Sequence, residues 1–353
     1  MDGRITITAV ARAAGVGVGT VSRVINRAPG VSPAMAQHVQ AVIARLGWQP
    51  AAPEARPGPR RRAAGTAARL AGGPRPIVEL VVLFRLGVGW MAEHAPVYAA
   101  ALDGIEAELA GAGYELQVAQ GVSWRPEAAP RACVGRIFFG AWEAGQEPPT
   151  GRSAVPTVWV MGVPPPGFAG DHVQVDHAAI GDLAARHLLG LGHRACAYLG
   201  SALGSPDSVI GYRGDAFASH LQRSGGTAHL LLHPGLIRLG RQEHRPDAGV
   251  VRTLLVRMLG LSPRPTALFV QADMVVPAVY RACKELGVLP QREITVITCN
   301  NEGRYLDGLR PPPLVIDIHA AHLGTQAART LLARLAHPQE PALRLTVRPT
   351  IDG

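Results

Sequence analysis

The sequence predicts two unlike parts, a small all-α domain over residues 1–50 and a larger α/β domain built on parallel sheets over 77–353. Two observations predict the parts, and a third separates them. Short helices with clear start and stop signals fill the first 50 residues. From Pro76 onward, apolar strands alternate with helices, the order that produces parallel sheets covered on both faces. Between them, residues 51–76 form a basic, Pro-rich linker with no apolar periodicity. At 353 residues, with 47% hydrophobic and 17% charged, the chain is long enough for more than one domain and apolar enough for a sizeable core.

Charge narrows the partners. Residues 1–76 carry eleven arginines against Asp2 and Glu54, and the rest of the chain is balanced, so the whole formal charge of +9 lies in the front end. A neutral body with a cationic head is the footprint of a nucleic-acid binder. An anionic membrane is the weaker alternative, because Arg60, Arg61 and Arg62 sit among Pro and Gly rather than on an amphipathic helix. No apolar run reaches the ~18 residues of a membrane span, and no apolar signal-peptide core opens the chain. Cys133, Cys196, Cys283 and Cys299 are far apart, with no CxxC, and read as reduced packing residues in a cytoplasmic protein.

The head has helix-turn-helix spacing. Thr6 caps a first helix over Ile7–Ala14, Gly15 ends it, and Gly15-Val16-Gly17 makes a tight turn. A second helix over about Val18–Ile25 turns Val21, Val24 and Ile25 inward and leaves Thr20, Ser22, Arg23 and Asn26 on the exposed side. Ser32-Pro33 starts a third, whose stripe of Met35, Val39, Val42, Ile43 and Leu46 ends at Gly47. In such a module the second helix enters the major groove of double-stranded DNA. The Gly15-x-Gly17-x-Gly19 run lacks the spacing and the preceding strand of a phosphate loop.

The run Thr6-Ile7 … Val10-Ala11-Arg12-Ala13-Ala14-Gly15-Val16 … Thr20-Val21-Ser22-Arg23-Val24-Ile25-Asn26, with Gly30-Val31-Ser32 and Leu46-Gly47-Trp48-Gln49-Pro50, resembles the DNA-binding domain of the LacI/GalR (lac repressor/galactose repressor) family. The resemblance implies base-reading positions at Val18 and Gly19 and a base-edge arginine at Arg23. Arginine is the commonest reader of guanine O6 and N7. Thr6, Thr20, Ser22 and Asn26 suit phosphate contacts, which position without specifying sequence. Gly17 replaces the family's usual capping Ser, and Gly19 offers no side chain, so direct readout rests on Arg23 and Val18.

The family usually places a short hinge helix in the linker. Here Pro53, Pro57 and Pro59 interrupt that stretch, and an interior proline costs a helix about 3 kcal/mol. Arg60–Arg62 then serve either as a basic arm along phosphates or minor groove, or as part of a disordered cationic tether.

In the body, Val175-Asp176, His187-Leu188-Leu189-x-Leu191-Gly192-His193-Arg194, Gly211-Tyr212-Arg213, Pro313-Leu314 and Leu323-Gly324 resemble the family's sensor domain. That implies a two-lobed periplasmic-binding-protein-like fold that dimerises and binds a small effector such as a sugar. The expected first lobe runs over about 77–168 and 318–337, the second over 169–317 and 338–353. The expected effector positions are Tyr98, Gly162, Ser208, Asp273, Asn300 and Asn301, and several depart from the family. Gly162 stands where an Asp is common, Ser208 where an Arg is, Ala272-Asp273 for an Asn-Asp pair. Thr298-Cys299-Asn300-Asn301, followed by Glu302, replaces a Gly-aromatic-Asp-Asp turn. The expectation is therefore an unusual effector or none, and the polar groups at strand ends also have a loop-capping reading.

No catalytic constellation or metal spacing stands out, and no cofactor or enzyme activity is expected. His319 and His322 lack a completing ligand, and Ser201, Ser205 and Ser208 have no GxSxG elbow. The sequence thus points to a nucleoid-associated bacterial transcription regulator, a repressor that binds a palindromic operator as a homodimer. An effector-independent or non-specific DNA-binding protein is the alternative. A solute-binding transport protein would share the body but have no use for the head. A salt titration tests the linker: replacing Arg60–Arg62 with alanine should reduce the slope of log K against log salt by about 0.9 for each phosphate that the arm neutralises. An unchanged slope means that the arm touches no phosphate.

Overall fold

The computed structural model describes residues 7–17, 20, 21, 24, 32–46, 75–83, 89, 91, 95–120, 133–140, 155–201, 209–239 and 244–351. The chain divides into two compact units, Met1–Ala71 and Gly72–Gly353.

In the first unit, α1 spans Ile7–Ala14 and α2 spans Pro33–Leu46. Thr20, Val21 and Val24 are helical between them. Gly15 takes φ +65° after α1, the left-handed conformation that glycine adopts without a Cβ penalty, and the Val16 amide returns to the Ala11 carbonyl. Ser32 Oγ accepts the Met35 amide at 3.3 Å, as its N-cap position predicts. Val10, Ala11, Ala14, Val21, Val24, Val39 and Val42 form the core, with Ile43 and Leu46 packed on it. The expected inward Met35 is instead 38% exposed. It lies in the first turn of α2, where the stripe has not yet reached the other helices.

The second unit holds two six-stranded sheets. Strands β1 (Ile77–Val82), β2 (Glu115–Gln120), β3 (Cys133–Phe139), β4 (Thr157–Val160) and β5 (Asp171–Val175) belong to the first, with β13 (Arg344–Val347). Their order is β13-β5-β4-β3-β1-β2, parallel throughout. The second sheet takes β6 (Ala195–Gly200), β7 (Thr227–Leu232), β10 (Ala267–Val270), β11 (Thr295–Cys299), β12 (Leu314–Asp317) and β14 (Thr350–Ile351). Here the order is β14-β12-β11-β10-β6-β7, with β14 alone antiparallel. A short hairpin pairs β8 (Ile237–Leu239) with β9 (His244–Pro246).

Helix α3 (Pro96–Gly111) crosses α9 (Ala320–Ala336) beside the first sheet, and α4 (His177–Gly190) crosses α5 (Val209–Arg223) beside the second. Helix α6 (Ala248–Leu259) packs with α7 (Val276–Glu285), and α8 (Gly303–Leu306) follows β11. Alternation along the second sheet sorts its side chains. Tyr198, Phe269 and Ile297 join Phe217 of α5, whereas Leu199, Leu268 and Val296 join Leu254, Met258 and Val279 of α6 and α7. Burial on both faces explains why these strands read as continuous apolar runs.

Strand membership moves the expected lobe limits. β5 lies beyond 168 and β13 beyond 338, yet both belong to the first sheet, and the chain passes between sheets at 175–177, 317–320 and 347–350. The reason is a polar anchor. Asp171, 1% exposed, accepts Arg334 Nε at 2.9 Å and Nη2 at 2.7 Å, and also the Leu343 amide at 2.7 Å. This bidentate pair ties α9 and the segment before β13 to β5. In the same sheet Glu79 and Arg136, opposite each other on β1 and β3, form a buried ion pair of 2.6 Å.

The helix crossing sets a stability test. A Cβ on Gly324 would strike the Ala101 carbonyl, and one on Gly104 the Ala321 carbonyl, so the α3 and α9 backbones touch. Gly324→Ala should lower stability by about 1–3 kcal/mol in chemical denaturation, the cost of forcing extra volume into a packed contact. Gly111→Ala, in open space on α3, should not.

Candidate functional site

In sheets of this kind ligands lie beyond the carboxyl ends of the strands, and polar groups in the second unit gather there. The backbone is unusual at the same edge. Met161 follows β4, Asn300 and Asn301 follow β11, and His319 follows β12, all at positive φ. Asparagine tolerates this region better than most residues, and such conformations persist only where surrounding structure enforces them.

Arg213 of α5 is the hub. Its side chain is buried, and its Nη1 donates to the Gln271 carbonyl at 2.6 Å and to Cys299 Sγ at 3.0 Å. Nη2 reaches Asn300 Oδ1 at 3.5 Å, and Nε donates to His177 Nδ1 at 3.1 Å. Burial, reinforced by the guanidinium, pushes His177 well below the usual imidazole range, so the ring stays neutral with Nδ1 as acceptor. The Cys299 thiol donates to the Gln271 carbonyl at 3.1 Å, and burial pushes it up to about 12, so it stays protonated. Gln271, fully buried, accepts the Ser201 amide at 2.5 Å through Oε1 and donates Nε2 to Ser201 Oγ at 3.2 Å.

Two buried carboxyl groups stand beside this cation. Asp273 is fully buried, accepting Thr298 Oγ1 at 2.8 Å and the Glu302 amide at 2.7 Å. Burial raises it to about 7, against the lowering pull of those hydrogen bonds and of Arg213. Glu302, 5% exposed, is also raised, chiefly by burial. Its Oε2 accepts Asn300 Nδ2 at 3.1 Å, and its Oε1 accepts the Val97 amide at 3.2 Å. Val97 opens α3, on the opposite sheet. Next to it, Tyr98 is half-buried with its ring edge-on to Phe139 at 6.0 Å, and burial, then Glu302, push its hydroxyl up to about 12.

The expected effector residues thus divide. Tyr98, Asp273 and Asn300 converge through Glu302 and Arg213. Asn301 turns away, donating to Asp317 Oδ2 at 3.0 Å, and Asp317 Oδ1 in turn accepts the His319 amide at 2.7 Å. Gly162 accepts His172 Nε2 on its carbonyl at 2.8 Å. Ser208 lies outside the described residues, as do Thr6, Val18, Gly19, Ser22, Arg23, Asn26 and Arg60–Arg62. Thr20 is helical and partly exposed, its amide bonded to the Gly17 carbonyl at 2.9 Å. Sequence reasoning did not assign the hub roles of Arg213, His177 and Gln271. The Gly211-Tyr212-Arg213 motif marked the arginine without revealing its partners.

The raised Asp273 predicts a pH dependence. Its native value of about 7 exceeds the ordinary 3.8, so the folded chain holds a proton that the unfolded chain releases across that window. Stability should fall as pH rises from about 4 to 7, with a slope of up to ~1.4 kcal/mol per pH unit from this group, and level off above. Asp273→Asn should flatten the profile in urea titrations at each pH, leaving the smaller slope of the same sign that Glu302 contributes.

Comparison with known proteins agrees with this architecture. Residues 6–51 match the model "Bacterial regulatory proteins, lacI family", and residues 185–352 match "Periplasmic binding protein-like domain". The chain is 25% identical to the HTH-type transcriptional regulator CelR of Thermobifida fusca over 98% of this chain and 96% of that protein. It is equally identical to the ribose operon repressor of Escherichia coli K12, over 98% of each. Among solved structures, the transcriptional regulator CelR–cellobiose complex superposes with a TM-score of 0.61 at 22% identity, covering 99% of both chains. The lac repressor dimer bound to operator and the anti-inducer ONPF gives 0.56 at 21%, covering 99% of this chain and 98% of that one. With a helical head, two parallel sheets crossed by the chain and both models matched in order, the chain joins a lacI-family head to a periplasmic-binding-protein-like body, the pairing found in the regulators it is similar to.

Proposed function

We propose that the chain is a sequence-specific DNA-binding transcription regulator, a repressor that binds a palindromic operator as a homodimer and answers to a small effector of the sugar class. The observation that carries this reading is the pairing, on one chain, of a lacI-type head with a two-sheet body. The similar proteins named for cellobiose and ribose supply the effector class. Its action is binding rather than catalysis, and it works on the chromosome in the bacterial cytoplasm. No helix among the described residues is long and apolar enough to cross a membrane.

In this reading residues 1–50 are the DNA-binding domain, 51–76 the linker, and 77–353 the effector-binding and dimerisation domain. Arg23 reads a guanine edge and Val18 meets a thymine methyl, with Gly19 allowing close approach. Thr6, Thr20, Ser22 and Asn26 hold phosphates, and Arg60–Arg62 add sequence-independent affinity. For the dimer, the exposed apolar residues Val118 on the edge strand β2 and Leu230 and Leu232 on the edge strand β7 offer surface of the right kind. An effector-independent regulator is the second reading, favoured by one feature: Asp273, Asn300 and Glu302 in the cleft already satisfy one another.

Selection of binding sites from random duplexes with the full-length protein tests the proposal. It should return a palindrome, and Arg23→Ala should weaken binding to it by about 1–3 kcal/mol while relaxing preference at one base pair of each half-site. Recovery of no shared site, or full affinity in the variant, would overturn the reading.

A further inference from the structure

A carboxylate of the protein bridges the loop after β11, on the second sheet, and the start of α3, on the first. Helix α3 starts at Ala95-Pro96 with no side-chain cap, so the Val97 amide lacks a local acceptor. An uncapped helix start is a favourable place for an anionic oxygen. Glu302 occupies it from the other sheet, 205 residues away in sequence, with Oε1 on the Val97 amide and Oε2 on Asn300 Nδ2. The carboxylate is aimed there by its own backbone. Its amide is held by the fully buried Asp273, and the preceding Asn300 and Asn301 take positive φ, which bends the loop toward α3.

We propose that Glu302 is a clasp, a built-in occupant of the cleft that holds the two halves of the body together when no effector is bound. The device goes beyond the proposed regulatory function and does not depend on DNA binding. Any effector entering this point must replace both bonds of the carboxylate. Ligands that present an anionic or multiply accepting oxygen to α3 meet that requirement, whereas one offering only donors does not. The groups facing the clasp are Arg213 from α5, Tyr98 from α3, and Asp273 and Asn300 from the strand ends of its own sheet.

The test uses the full chain without ligand or DNA. Hydrogen–deuterium exchange is followed in the peptide containing Val97 and in the one containing residue 302. In Glu302→Ala the Val97 segment should exchange at least tenfold faster, while the residue 302 amide, still bonded to Asp273, keeps its protection. Spin labels at Leu289→Cys and Leu343→Cys, exposed sites on opposite halves, should show a longer or broader distance distribution in the variant. Glu302→Gln keeps an acceptor for Val97 but turns an amide toward the Asn300 amide, so it should fall between the two. Unchanged exchange at Val97 in both variants, or an unchanged label distance, would overturn the clasp. Loss of protection at residue 302 as well would also overturn it, since the glutamate would then be supporting its own loop rather than bridging the halves.

Discussion

The buried guanidinium of Arg213 is the interaction on which the carboxyl edge of the second sheet depends. A full charge out of water must be met by acceptors on every side, or it costs several kcal/mol. Here the acceptors come from α4, β10 and β11 and the residues that follow them: His177, the Gln271 carbonyl, Cys299 and Asn300. Each is thereby fixed in position. Burial keeps His177 neutral and the Cys299 thiol protonated, and it raises both Asp273 and Glu302, so these carboxyl groups release their protons less readily even beside the cation.

That constraint places the strained loops. Next to the end of β11, where Arg213 meets Cys299 and Asn300, the turn through Asn300 and Asn301 takes positive φ and delivers Glu302 toward α3. The crossing after β12 is pinned in parallel. Asp317 accepts both the Asn301 side chain and the His319 amide, and His319 Nε2 pairs with Thr350 Oγ1 at 2.9 Å across the neighbouring crossing. Rigid helix pairs lie to either side, with glycines at Gly104, Gly181 and Gly324 bringing backbones into contact. Two stiff halves joined at the crossings and bridged by one carboxylate form a body in which small changes at the cleft bear on how the halves sit. This is the arrangement that the proposed regulator needs if a small molecule is to alter DNA binding by differential affinity for two states.

Much of this was legible in the sequence. The limits of α1 and the Ser32-Pro33 start of α2 follow from caps, glycines and stripe spacing, all of which act within a few residues. β1, β3, β6, β10 and β11 announce themselves because strands buried on both faces are mostly apolar, the paired Glu79 and Arg136 being the exception on β1 and β3. β5 and β7 were not legible. β5 carries Asp171, His172 and Gln174, made burial-compatible only by the distant Arg334 and by the Gly162 carbonyl. β7 is an edge strand with Leu230 and Leu232 exposed, so it lacks the two-sided signature.

The cleft shows the same division. Composition and local motifs alone determined that the chain has a cationic head with helix-turn-helix spacing and a neutral α/β body, because charge and periodicity are properties of short stretches. They also marked Asp273, Asn300, Asn301 and Glu302 as polar groups at strand ends. Which of these face the cleft, which cap a loop, and which bridge the halves was decided only by tertiary structure. The partners involved, such as Glu302 with Val97 or Arg213 with Gln271, lie 205 and 58 residues apart. A hydrogen bond over such separations leaves no periodic trace. It exists only because the sheets bring those positions within bonding distance.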